Sequence, residues 1–218
     1  MSRNPFIRLL RFLFFAVVVR AVILVALGLT VRHRERLPKD EPAVLAGNHN
    51  SNLDALAIMS LLHLHLLPKI RPVAAMDYFL TGDIRSWFAS NIIGIIPVKR
   101  GSGKEGGNPL QLAEEARDRG EILVIFPEGS RGEPETLQEV KKGIGHLAHA
   151  RPNVPVIPVF MHGLGKALPR GSLVLVPFNV IVSVDEPLYG TDTYSEFVSK
   201  LQRAISDLAA AEKLPAWE

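Results

Sequence analysis

Cysteine is absent from the 218 residues. That excludes disulfides, thiolate metal sites and a cysteine nucleophile, and it fits a reducing compartment. Acid is nearly absent from the first 36 residues. Arg3, Arg8, Arg11, Arg20, Arg32, Arg34 and Arg36 stand against Glu35 alone, a balance of +6, while the rest of the chain has 18 bases and 21 acids, or −3. The overall charge of +3 therefore belongs to the N-terminus. The body lacks the basic excess of a nucleic-acid groove, so no nucleic-acid partner is expected. Two signatures are also missing. Ser130 lies in Gly-Ser-Arg-Gly, which is not the Gly-x-Ser-x-Gly elbow of a serine hydrolase. Lys104 follows Gly101-Ser-Gly but precedes Glu105, so the phosphate-binding P-loop is incomplete. His63-x-His65 and His146-x-x-His149 lie in apolar stretches without nearby acids, and no metal site is expected.

Phe12 to Val31 is an apolar run of 20 residues broken only by Arg20. Such a helix could just cross a hydrocarbon core of about 30 Å. Arg20 near its centre would cost roughly 2.5–3.5 kcal/mol on an insertion scale. Three arginines precede the run and three follow it, so charge gives no orientation. The reading adopted is a bent or two-part helix dipping into one leaflet, with Arg20 snorkelling to the headgroups. A spanning helix, a signal peptide and a buried core helix are the alternatives. Residues 1–36 are expected as a membrane-associated segment and 37–218 as the functional domain, with its site on the cytoplasmic face.

Beyond Pro38 the pattern alternates. Strands are expected at 43–46, 71–75, 92–98, 121–126, 154–160 and 172–184, with helices at 53–67, 83–91, 109–119, 136–150 and 193–212. The fold class is α/β: a mixed central sheet flanked by helices, with an N-terminal apolar, membrane-embedded helical segment. Pro155 and Pro158 make their strand an edge or a bulged one, which could wall an apolar site.

Four blocks could carry chemistry. In Gly47-Asn-His-Asn-Ser-Asn-Leu-Asp54, His49 and Asp54 are five apart. On a regular helix that is about 140° of rotation, so they would not meet. They meet if His49 precedes the helix and Asp54 opens it, with Asn50, Ser51 or Asn52 as cap. A carboxylate beside an imidazole equips a general base. The plainer reading is a helix cap beside a surface histidine. Lys99 and Arg100 end the block from Gly94, where a guanidinium could bind phosphate or simply end a strand. Phe126-Pro-Glu-Gly-Ser-Arg131 follows a buried strand: Arg131 could bind an anion, and Glu128 could hold a polyol or an arginine, unless this is an ordinary polar turn. The fourth block is Val154-Pro-Val-Ile-Pro-Val159.

Taken together, these blocks resemble the glycerol-3-phosphate and 1-acylglycerol-3-phosphate acyltransferase family. Its Asn-His-x4-Asp motif is matched by Asn48, His49 and Asp54. Its second motif is matched by Gly94 through Arg100, its Phe-Pro-Glu-Gly-Thr/Ser-Arg by Phe126 through Arg131, a Lys-Lys-Gly step by Lys141 to Gly143, and its Val-Pro-x-x-Pro-Val by Val154 through Val159. Pro97-Val98-Lys99 departs from the usual second motif, and the stretch from Arg131 to Lys141 is short. The resemblance implies His49 as base and Asp54 as its orienter. It implies Arg100, Glu128, Gly129, Ser130 and Arg131 as substrate-binding residues, supported by Asn48, Lys99, Lys142, Pro155 and Pro158. It implies no cofactor, only acyl-CoA or acyl-carrier protein as co-substrate. The expected partners are membrane lipid, the acyl donor and a lysophospholipid acceptor. Lysophosphatidate is favoured over glycerol 3-phosphate, other lysophospholipids and amino-acid lysolipids. A catalytically silent lipid binder is the rival from another class.

Overall fold

The computed structural model describes residues 4–76, 82–98, 108–132, 135–168 and 174–212. The chain opens with a helix, α1 (Pro5–Leu13), which Asn4 caps by accepting the Phe6 N–H. It runs on through two wider π turns, Phe14–Val19 and Ala21–Ala26, as one 22-residue helix. Its buried side chains step by four: Arg11, Phe15, Val19, Ile23 and then Leu27. On an ordinary helix each such step would drift by about 40°. Widened turns absorb that drift and keep one stripe against the body.

Among the described residues, seven strands form one sheet in the order β1-β7-β6-β2-β5-β3-β4. They are β1 (Leu29–Arg32), β2 (Val44–Gly47), β3 (Ile70–Ala75), β4 (Ile96–Val98), β5 (Ile122–Ile125), β6 (Val156–His162) and β7 (Val180–Val184). All neighbours run parallel except β6 and β7. β2, β5 and β6 are buried at every position, as their unbroken apolar runs require of strands covered on both faces. One face packs on the N-terminal helix and α2 (Asp54–Leu61); the other packs on α4 (Gln111–Asp118), α5 (Gly143–Ala150) and α7 (Tyr194–Ala211). α3 (Asp83–Phe88) continues into a π turn, Ala89–Ile93, and α6 (Leu164–Ala167) follows β6.

Several expectations need correction. The N-terminal helix is continuous, not two-part, and Leu29–Arg32 is a sheet strand within the segment expected at the membrane. Arg20 does not reach for headgroups: its Nη2 donates to the Leu62 carbonyl at 3.1 Å. Arg34 Nη2 donates to the Leu61 carbonyl at 3.1 Å. These two guanidiniums satisfy carbonyls at the end of α2, which stops at Leu61 instead of running to 67. The helix expected at 136–150 forms only from Gly143, and Ile92 and Ile93 lie in a π turn rather than a strand.

β6 is not an edge strand, despite its prolines. It sits between β7 and β2. It is bulged instead. Val156 pairs with Leu188 and Val159 with Val184, so two residues, Ile157 and Pro158, face three, Asp185, Glu186 and Pro187. Pro158 has no N–H for the ladder, and at the bulge its carbonyl accepts the Asp185 N–H at 3.0 Å.

Candidate active site

The site lies beyond the carboxyl ends of the adjacent parallel strands β2, β5 and β3, where an open α/β sheet presents its loops. β2 ends at Gly47, and Asn48 carries on its work. The Asn48 side chain donates to the Met161 carbonyl at 2.9 Å and accepts the Met161 N–H at 2.7 Å. An amide side chain thus extends the ladder to β6 and fixes where His49 leaves the sheet.

His49 stands in the loop and Asp54 is the first residue of α2. Asp54 Oδ2 lies 2.8 Å from His49 Nδ1 and accepts the N–H groups of Asn50 at 2.6 Å and Ser51 at 2.8 Å. The expected cap is different in detail. Leu53 holds the cap position without a side-chain bond, and Asp54 itself gathers the turn. Asp54 is fully buried. Burial pushes its carboxyl above the ordinary range, while His49 and the two N–H groups pull the other way. The imidazole stacks on Phe126, with ring centroids 4.3 Å apart and planes 14° off parallel. With Nδ1 engaged by the carboxylate, Nε2 is the nitrogen left for the cavity that His49 lines.

Glu128 is buried and does not line that cavity. One carboxylate oxygen accepts the His49 N–H at 3.1 Å and the other the Gln138 N–H at 3.2 Å. It ties the loop after β5 to the backbone of His49, and its carboxyl is pushed up by burial against those two donors. Gly129 turns at φ +74°, and an added Cβ would sit 2.7 Å from Lys141 Nζ.

The cavity has a volume of about 760 Å³. His49, Ser130, Arg131 and Lys141 bring polar groups to it; Leu56, Val73, Ile93, Ile95, Val98 and Leu147 are among its apolar lining. Of the expected residues, His49, Gly129, Ser130 and Arg131 line it. Asp54, Asn48 and Glu128 stand behind them. Lys99 and Arg100 lie outside the described residues. Lys142 is exposed outside the cavity and its neighbour Lys141 lines it, a correction the doubled lysine had hidden. Pro155 and Pro158 are also outside the lining, so β6 does not wall the site; the Pro155 carbonyl pairs with the Val44 N–H at 2.9 Å.

A second buried pair went unforeseen. Glu135 lies 2.9 Å from His162 Nδ1 and accepts the N–H groups of Gly163 at 3.0 Å and Gly165 at 3.1 Å. Asn50, whose amide donates to the Met161 carbonyl at 2.9 Å, also approaches Glu135 at 3.4 Å. Glu135 adopts φ +63°, a left-handed conformation that costs a non-glycine residue about 1–3 kcal/mol where it must be held by its surroundings. No motif marked it, since its partners lie 27 to 30 residues downstream and, for Asn50, 85 residues upstream.

The fold and the site define an α/β protein with a carboxylate-oriented histidine lining an amphipathic cavity. By sequence the chain belongs to the acyltransferase family, whose profile matches residues 28–162. It is 32% identical over 159 residues to the chloroplastic 1-acyl-sn-glycerol-3-phosphate acyltransferase BAT2 of Brassica napus, covering 72% of this chain and 44% of that protein. It is 28% identical over 134 residues to the lyso-ornithine lipid O-acyltransferase of Rhizobium meliloti, covering 59% of this chain and 42% of the relative. The chain thus spans under half the length of these two curated relatives. Its fold is similar to that of the 1-acyl-sn-glycerophosphate acyltransferase PlsC from Thermotoga maritima, with a TM-score of 0.75 at 19% identity over the whole chain and 86% of that structure.

Proposed function

We propose that this chain transfers a fatty acyl group from acyl-CoA or acyl-carrier protein to the free hydroxyl of a lysophospholipid, with 1-acyl-sn-glycerol-3-phosphate as acceptor and phosphatidate as product. The observation that carries the reading is the 2.8 Å His49–Asp54 pair set at one cavity with cationic and apolar walls. His49 Nε2 takes the proton of the acceptor hydroxyl as its oxygen attacks the thioester carbonyl. The tetrahedral intermediate collapses, the carbon–sulfur bond breaks, and the imidazolium returns the proton to the leaving thiolate. Asp54 holds the tautomer and stabilises the imidazolium. No acyl-enzyme is required.

Arg131, with Lys141 beside Gly129, supplies the positive charge suited to a phosphomonoester, and Arg100 is proposed to join them. The relatives named for 1-acyl-sn-glycerol-3-phosphate support that acceptor. The lyso-ornithine relative keeps an amino-acid lysolipid as the second reading. The N-terminal helix is long and apolar enough to cross a membrane by length and composition, with a mean hydropathy of 2.5. One of its faces is packed on the body, so we place it in the plane of the interface, with the site on the cytoplasmic side.

The test is steady-state kinetics in detergent with the acceptor varied: lysophosphatidate, glycerol 3-phosphate, lyso-ornithine lipid and uncharged monoacylglycerol. Lysophosphatidate is expected to give the highest kcat/KM. Arg131→Ala is expected to raise the acceptor KM more than the donor KM. Equal use of monoacylglycerol, or unchanged acceptor kinetics in both Arg131→Ala and Arg100→Ala, overturns the phosphate assignment.

A further inference from the structure

The N-terminal helix is not alone in exposing apolar side chains. On α3, Ile84 is 85% exposed and Trp87 is 45% exposed. Both are large, and neither is used by the site. Their positions give them a common neighbour. Trp87 and Phe88 lie three and four residues beyond Ile84, so Ile84 neighbours both on the surface of the short helix. Phe88 meets the N-terminal helix directly: its ring packs edge-on against Phe14, with centroids 5.2 Å apart at 88°. Around Phe14, in turn, lie Leu13, Val17 and Val18, each about half exposed or more. The two helices thus share one apolar surface that crosses the Phe14–Phe88 junction. It is larger than the scattered exposed residues usual on a soluble domain.

We infer that α3 is a second membrane-insertion element, in which Ile84 and Trp87 enter the interface of the same bilayer leaflet that receives the N-terminal helix. Three features point to a lipid surface. First, the patch is continuous with a helix of mean hydropathy 2.5 that carries no acid from Asn4 to Ala26. Second, tryptophan is the side chain that best suits the boundary between headgroups and hydrocarbon. Third, the exposed charges on these helices are Arg8, Arg85 and Asp83, an excess of base that complements anionic headgroups. The placement has a consequence for the cavity. The π turn after α3 ends at Ile93, which lines the cavity and whose carbonyl accepts Arg11 Nη2 at 3.2 Å. The inserted surface therefore adjoins the apolar part of the site. This docking is independent of which lysolipid is the acceptor.

The experiment uses tryptophan as its own reporter. The chain has two, Trp87 and Trp217, and Trp217 lies outside the described residues. Full-length protein carrying Trp217→Phe leaves Trp87 as the sole emitter. It is reconstituted with vesicles of phosphatidylcholine and phosphatidylglycerol, with and without lipids brominated on their acyl chains. The expected result is a blue-shifted Trp87 emission that brominated lipid quenches. Ile84→Asp in the same background should abolish the quenching. On the scale of one large apolar side chain, it should also lower kcat/KM by about tenfold for acceptor presented in vesicles. With acceptor in detergent micelles the Ile84→Asp rate should be unchanged, which separates lost docking from lost folding. Trp87 emission that is not quenched by brominated lipid overturns the inference, whether or not the protein sediments with vesicles. A blue shift that depends on protein concentration and occurs without lipid assigns the patch to a second copy of the chain instead.

Discussion

Each charged group around His49 has a different task, and single substitutions separate them. His49→Ala should lower kcat by roughly 10²–10⁴-fold, the scale of a general base, with the circular-dichroism spectrum retained. Asp54→Asn should act in the same direction, because an amide cannot stabilise the imidazolium. A folded His49→Ala protein with near-normal turnover would remove the base assignment. The buried carboxyls also set a pH response. Burial raises both Asp54 and Glu128 above the ordinary carboxylate range. The folded state then holds protons that the unfolded state has already released. The stability owed to these groups is fullest below the ordinary carboxylate value and is lost as pH rises through the raised one. Activity runs the opposite way, since the base needs Asp54 ionised. Between about pH 7 and about pH 4, the stability of wild type relative to Glu128→Gln should therefore grow while kcat falls. Urea unfolding and initial rates on the same samples measure both. A stability difference that shrinks over that range contradicts the sign.

At the scale of elements, two of the N-terminal arginines act as caps on α2. Arg20 and Arg34 each donate to a carbonyl at the end of α2, whose first residue is Asp54. Arg20→Ala should lower stability by about 1–3 kcal/mol, the scale of a hydrogen bond from a charged group, and leave vesicle affinity nearly unchanged. Thermal unfolding and vesicle flotation distinguish this from a headgroup role, in which flotation would change and the melt would not. The arginine also illustrates what the sequence could and could not disclose. Strands β2 and β5 were legible because burial on both faces demands unbroken apolar runs. His49 and Asp54 were legible because a loop-to-helix step at Asn50-Ser-Asn52 is a local signal. Arg20 was not, because its partner at Leu62 is 42 residues away and a lone arginine in an apolar run reads the same whether it faces lipid or a carbonyl. Glu135 was missed for the same reason, whereas Lys141 was in view in the Lys-Lys-Gly step and its neighbour Lys142 was chosen instead. Pro158 was half legible: proline excludes an ordinary ladder position, but only the neighbouring strands decide between edge and bulge.

For the whole molecule, the N-terminal segment is part of the body. Phe15, Val19, Ile23 and Leu27 belong to the same buried cluster as Leu45, Ile58 and Val182, and β1 is the partner of β7. Removing residues 1–36 exposes that cluster and the edge of β7. At roughly 1.5–3 kcal/mol for each large side chain uncovered, the loss exceeds the margin of an ordinary domain. The truncated protein should therefore aggregate or unfold rather than leave the membrane as a soluble domain. A monodisperse, cooperatively melting product on size-exclusion and calorimetry would contradict this.

The pairing of Leu29 with Val180 has a further consequence, in time rather than in space. Among the described strands the first made, β1, must wait for the last, β7. At about 5–20 residues per second, the ribosome needs roughly 8–30 s to deliver the partner, and long-range parallel pairing is slow even once both strands exist. Until β7 arrives, the apolar helix ahead of β1 has emerged without all of the surface it will eventually pack on. A bilayer beside the ribosome can hold its exposed face meanwhile. The lipid on which we propose the protein acts would then also be its first folding partner, and yields from lipid-free translation should fall below those obtained with vesicles present from the start.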